Sequence, residues 1–251
     1  MGAHRSCRRA EARVLTVNAA GTTRAAGPRF YGRRRGKRLR PTLLGLMETL
    51  LPRLAIQLPP PGGRLEPAAL FPRPPAALWL EVGFGGGEHV AAQARLHPEV
   101  GLIGCEVFRN GIASLLTHLN GSDIDMVRIF PEDARLLLPA LPEACLARVF
   151  ILFPDPWQKK RHAARRFVGP DNLDALARVM ADGAELRVAS DDPGYQEWTT
   201  IHLDAHPAFE PLQVTADRAL LPPDWPATRY EQKLLAGHPP LFFRYRRKER
   251  L

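Results

Sequence analysis

From residue 76 onward the chain alternates between short apolar runs and stretches of helical spacing, and this alternation limits the fold more than any other feature. The runs are Leu78–Val82, Leu102–Val107, Met126–Phe130, Val149–Phe153 and Glu185–Ala189, with helical patterns near 87–96, 109–119, 171–181 and 194–205. Phe209–Val214 and Leu241–Arg246 add two later strand candidates. Such alternation predicts an α/β fold, a doubly wound and mostly parallel sheet with helices on both faces. Right-handed crossovers leave ligand crevices beyond the carboxyl ends of the strands, so chemistry is expected where the runs end.

Upstream the texture differs. Residues 1–28 lack apolar periodicity and read as a disordered basic extension. Residues 29–75 read as a basic arm, a helix over Thr42–Leu58 with a kink at Pro52, and a Pro-rich linker from Pro59 to Pro75. The remainder, 76–251, is the predicted catalytic domain. Charge follows the same division. Residues 1–40 hold 12 Lys/Arg against the single acid Glu11, whereas the other 211 residues hold 23 Lys/Arg against 25 acids. The net charge of +9 is therefore carried by the arm, which suits an anionic partner. Lys159–Arg166 adds five cations without an acid.

Three scattered cysteines, Cys7, Cys105 and Cys145, form no CxxC, so neither a disulfide framework nor a Cys-rich metal site is expected. Apolar runs are too short for a membrane span and no secretory h-region occurs, so a cytoplasmic location without a membrane partner is the expectation. His202 and His206 have helical spacing but lack the His-Glu-x-x-His pattern and a third ligand, so no metal is expected.

The first strand end reads Leu80-Glu81-Val82-Gly83-Phe84-Gly85-Gly86-Gly87. Glycines allow a sharp turn and close approach to a ligand. Glu88 takes the third glycine position of the dinucleotide fingerprint, and Glu81 would repel a pyrophosphate, so a nicotinamide-dependent dehydrogenase is disfavoured and a cationic ligand favoured. Glu106 follows Gly87 by 19 residues, where an acid accepts from ribose hydroxyls, and Asp133 at the third strand end could accept from an adenine amino group. The fourth strand ends in Phe153-Pro154-Asp155-Pro156-Trp157-Gln158-Lys159-Lys160-Arg161-His162. Two prolines stiffen the loop around Asp155, and a carboxylate, an aromatic ring and cations in succession suit a nucleotide base with phosphates nearby.

Together, Leu80–Gly87, Gly104–Val107, Phe153–His162, Ser190-Asp191 and Thr228-Arg229-Tyr230-Glu231 resemble the tRNA (guanine-N7-)-methyltransferases, and Arg29–Arg34 resembles that family's basic N-terminal stretch. The resemblance covers roughly residues 29–247. It implies a seven-stranded, Rossmann-like class I methyltransferase sheet with an antiparallel last strand. It implies S-adenosyl-L-methionine as methyl donor, tRNA as partner and the variable-loop guanosine at position 46 as target. By position it places Glu81, Gly83, Gly85, Glu106, Asp133 and Asp155 at the donor, with Asp155 also catalytic. It places Lys159, Asp191, Thr228, Arg229, Tyr230 and Glu231 at the RNA. Arg229 stands where lysine is usual, and Asp192 follows Asp191 where an aromatic or polar residue is commoner. Asp155-Pro156-Trp157 also partly resembles the segment of exocyclic-amino nucleic-acid methyltransferases, and a non-catalytic RNA-binding module is a third reading. Monomer and homodimer are both left open.

Overall fold

In the computed structural model, residues 32–227, 231 and 237–250 are described, together with the backbone of 16–17 and 23–24. Met1–Phe30 and Tyr31–Leu251 are separate compact units. The first contains a short antiparallel pairing of Thr16–Val17 with Thr23–Arg24.

The second unit carries seven strands. They are β1 (Leu78–Val82), β2 (Gly101–Cys105), β3 (Val127–Phe130), β4 (Leu146–Leu152), β5 (Met180–Ser190), β6 (Phe209–Thr215) and β7 (Leu241–Arg247). Their order across the sheet is β3-β2-β1-β4-β5-β7-β6. The first five pair in parallel, and β7 runs antiparallel to both its neighbours. The expected sheet is therefore present, antiparallel last strand included. Parallel strands are covered on both faces, which explains why their sequences are apolar runs rather than alternations. Successive side chains feed two cores: Leu80, Val149, Ile151, Leu186 and Val188 on one face, and Trp79, Phe150, Leu152 and Ala189 on the other.

The covering helices are α3 (Glu88–Leu96), α4 (Arg109–Leu119), α5 (Ala134–Leu137), α6 (Pro170–Val179) and α7 (Pro193–Ala205), preceded by α1 (Pro41–Thr49) and α2 (Leu51–Leu54). The single helix expected over Thr42–Leu58 is two helices. It stops at Leu54 because Ala55 turns extended and the next residue, Ile56, donates its amide to the Ile129 carbonyl at 2.8 Å. The Pro-rich stretch is likewise packed rather than extended away from the body. It contains a 3₁₀ turn at Pro67–Leu70, and Leu65 and Phe71 are buried in the main core. Prolines supply the bends, and the apolar residues between them anchor the segment.

Strand order reverses beside β1, which pairs β2 on one edge and β4 on the other. That is the topological switch point where open α/β sheets bind ligands. Glu81 and the Phe153–Trp157 loop both lie at this crevice.

Candidate active site at the strand ends

The loop after β1 turns through Gly83, Gly85 and Gly87, with φ of 70°, 56° and 80°, a region that side chains rarely enter. Glu81, just before the loop, is 2% exposed. Its Oε2 lies 2.6 Å from His89 Nδ1 on α3. Glu106, at the end of β2, is also buried and is held by three backbone amides. Oε1 accepts from Val107 and Phe108 at 2.7 and 2.8 Å, and Oε2 accepts from Gly85 at 2.8 Å. Burial raises the Glu106 pKa, the three amides work against that, and the negative charge of Asp155 raises it further. The β1 loop is thus fastened to the β2 end through one carboxylate.

Asp133, just beyond the third strand, is held by its own turn. It caps α5 by accepting from the Arg135 amide at 2.9 Å, and the Arg135 guanidinium grips both its oxygens. A capping acid two residues before an arginine finds that partner without leaving its own turn.

Beyond β4, Phe153 and Trp157 both have positive φ, 51° and 44°. A non-glycine residue in this region is strained, and two within five residues mark a loop held by its surroundings. Phe153 donates its amide to the Ala189 carbonyl at 2.8 Å. On the far side, Arg166 Nε donates to the Pro156 carbonyl at 2.8 Å and Nη1 to the Gly194 carbonyl at 3.2 Å. The Arg166 guanidinium lies 5.0 Å from the Trp198 ring centre. Asp155, at the loop's apex, is exposed, yet crowding by protein raises its pKa through desolvation.

The basic cluster divides. Lys159, Lys160 and Arg161 are exposed, whereas Arg165 sits 5.0 Å over the Trp157 ring and Arg166 braces the loop. By sequence the five cations read as one patch, and nothing in their spacing marks Arg166 as a brace. Asp192 caps α7: Oδ1 accepts from the Tyr195 amide at 2.8 Å and Oδ2 from Gln158 at 3.0 Å. Asp191 is half-buried beside it and takes no part in that cap. Glu231 is half-buried and ion-paired to Arg218. Thr228, Arg229 and Tyr230 lie outside the described residues, as do Arg29, Phe30 and Tyr31.

The described part of the basic arm runs along the same rim. The Arg34 carbonyl accepts the Arg109 amide at 3.0 Å, and Asn110 clamps the segment from both ends of its amide: Oδ1 accepts from Gly36 at 2.8 Å and Nδ2 donates to the Lys37 carbonyl at 2.7 Å. Arg34 also pairs with Glu132 at 2.9 Å. Arg33, Arg35, Lys37 and Arg38 are exposed there. Among the described residues, no cluster of three or more His, Cys, Asp or Glu could hold a metal, and no helix is long and apolar enough to cross a membrane. His202 and His206 have separate partners, the Trp198 carbonyl and Asp174.

A family described as "Putative methyltransferase" matches residues 75–243. A tRNA (guanine-N(7)-)-methyltransferase of Paramagnetospirillum magneticum is 62% identical over 92% of this chain and 97% of its own. Proteins of the same name from Rhodospirillum rubrum and Granulibacter bethesdensis are 54% and 48% identical, over 88% and 90% of this chain and 89% and 98% of theirs. Among solved structures, the 16S rRNA methyltransferase KamB shares the fold, with a TM-score of 0.50 at 14% identity over 70% of this chain and 89% of that one. With the strand-end carboxylates, the braced Pro-Asp-Pro loop and near full-length relatives in agreement, the chain belongs to the tRNA (guanine-N(7)-)-methyltransferase family.

Proposed function

We propose that the chain transfers a methyl group from S-adenosyl-L-methionine to N7 of a guanine in tRNA, the variable-loop guanosine at position 46. The observation that carries this reading is Asp155 at the apex of a strained, doubly tethered loop beyond the switch point, with exposed Lys159–Arg161 beside it. The donor, when bound, supplies an electrophilic methyl on a positively charged sulfur. The acidic strand ends fit that charge: Glu81 and Glu106 lie in and behind the β1 loop, and Gly83 and Gly85 let the backbone approach closely.

Guanine N7 presents a lone pair and no proton, so attack on the methyl needs no general base. What remains is positioning and charge placement. Asp155 accepts from the guanine Watson–Crick edge and offsets the positive charge that develops on the ring. Lys159 and Asp191 contact the RNA, with Thr228–Glu231 completing the substrate side. Asp192 caps α7, and Asp191, next to it, is the carboxylate given this role. Within the 29–75 segment the Arg29–Arg40 arm adds phosphate contacts, and 76–251 hold the chemistry. N7 faces the deep, narrow major groove of an RNA helix, so a variable-loop or flipped base is the accessible target. A cytoplasmic location fits the three scattered cysteines, and either a monomer or a homodimer fits the reading.

The test is incubation of purified protein with labelled donor and unmodified tRNA, followed by nucleoside analysis and borohydride–aniline cleavage. The expected product is 7-methylguanosine with a break at position 46. An N-methylated amino group would favour the exocyclic reading, and tRNA binding without methyl transfer would favour a non-catalytic module.

A further inference from the structure

Two residues assigned to opposite sides of the reaction, Glu81 at the donor and Glu231 at the RNA, are the ends of one chain of polar contacts. Gln93 Nε2 donates to the Asp224 carbonyl at 2.6 Å, which fixes that atom as the amide nitrogen. The same nitrogen lies 3.2 Å from His89 Nε2, so His89 accepts there and carries its proton on Nδ1, which donates to Glu81. The chain resumes at Trp225, next to Asp224, whose carbonyl accepts from Arg218 Nη2 at 2.9 Å. Arg218 Nη1 is ion-paired to Glu231. His89 and Gln93 are 4% and 1% exposed, so water does not interrupt this part of the path.

The middle of the path is rigid. Asp224 pairs with Arg148 at 2.5 Å and with the buried Arg187 at 2.9 Å. Gln93 Oε1 is buried with no hydrogen-bond partner among the described residues. A glutamine that strands one polar atom in the interior is held there by what its other end does. An apolar side chain of similar length would fill the same space without that cost.

We propose that His89 and Gln93 are positioning residues that couple donor binding to tRNA binding, by linking Glu81 through the Asp224-Trp225 segment and Arg218 to Glu231. This rests on the function proposed above. Ordering Glu81 around a cationic donor fixes His89 and Gln93, which fixes the Asp224-Trp225 segment and, through Arg218, Glu231. The effect is reciprocal by linkage: each ligand tightens the other by the same factor.

The experiment uses the full chain with S-adenosylhomocysteine and an unmodified tRNA transcript, each titrated alone and in the presence of the other. In the wild type each ligand tightens the other about fivefold or more. Gln93→Met removes both amide donors. His89→Asn keeps a donor where Nδ1 stands and loses the link to Gln93. Both variants are expected to bind each ligand alone as the wild type does, with the mutual factor reduced to one, so that the donor KM at saturating tRNA rises by about the lost factor while the donor Kd without tRNA is unchanged. Thermal melts confirm that each is folded, and either folded variant suffices. A wild type without mutual tightening, or variants that keep it, overturns the coupling while leaving the methyltransferase reading intact. Failure of the wild type to bind S-adenosylhomocysteine, or to form 7-methylguanosine, overturns both.

Discussion

Replacing Gly111 with alanine tests how tightly the glycine loop after β1 is held. Gly111 lies in the first turn of α4, and a Cβ there would stand 2.2 Å from the Gly85 carbonyl oxygen and 3.1 Å from its carbon. Carbon and oxygen approach no closer than about 3.3–3.6 Å, even in weak hydrogen bonds. Backbone must therefore move by about 1 Å, against the contact the Glu106 carboxylate makes with the Gly85 amide. Two effects oppose each other. Alanine in place of glycine favours the helix by up to about 1 kcal/mol, whereas forcing atoms into packed backbone costs about 1–3 kcal/mol. The clash wins because the obstacle is a carbonyl in a tethered loop, not the end of a flexible side chain. With a net cost of about 1–2 kcal/mol, the expected outcome is a melting temperature about 2–8 °C lower, at 2–4 °C per kcal/mol for a chain of this size. Displacing the loop by that distance also costs up to about 10²-fold in kcat/KM, with a raised donor KM. Thermal denaturation and steady-state methyl transfer measure both. A Gly111→Ala enzyme with wild-type donor KM and an unchanged or higher melting temperature would refute the reasoning.

Three further perturbations follow from the site. Arg166→Lys keeps the charge but loses the fork that spans the Pro156 and Gly194 carbonyls, so kcat should fall about 10–10²-fold while the donor Kd is unchanged; an unaltered kcat contradicts the brace. Asp224 and Glu185 are pulled below their usual pKa values: burial pushes each up, but hydrogen bonds and charge from Arg187, with Arg148 at Asp224 and Arg244 at Glu185, more than offset it. Their contribution is present above the unfolded carboxylate values near 4 and is lost as pH falls through the lower folded values. Melting temperatures recorded from pH 6 downward should drop steeply on the acid side for the wild type and less steeply for Asp224→Asn, and equal slopes would contradict this. Substituting Arg33, Arg35, Lys37 and Arg38 with glutamine should flatten log K against log salt for tRNA by roughly 0.7–0.9 per lost phosphate contact, and an unchanged slope would mean that the arm is not a grip.

Much of this architecture was legible because it is local. The apolar runs marked five parallel strands since both faces of each are buried, and the strand-end acids and glycines lie in contiguous stretches of chain. Element boundaries were less so. The helix expected to reach Leu58 ends at Leu54, because the partner of Ile56 is a β3 carbonyl more than 70 residues away. The Pro-rich segment reads as a linker by composition, yet Leu65 and Phe71 seat it in the core. The pairing of Asp133 with Arg135 is local, yet nothing in the residue pattern marks it. The brace at Arg166 and the buried path through His89 and Gln93 left no periodic mark. Gln93 and Asp224 are 131 residues apart, and only the fold brings them together.

The most direct measurement is the single-turnover rate of Asp155→Asn at saturating donor and tRNA, with donor affinity determined separately by calorimetry. The substitution keeps the side chain's shape and removes the charge proposed to face the methylated ring. The expected result is a fall of about 10²–10³-fold in the rate of 7-methylguanosine formation by an enzyme that still binds donor and tRNA. A rate close to that of the wild type, with both ligands bound as before, would contradict the role given to this carboxylate.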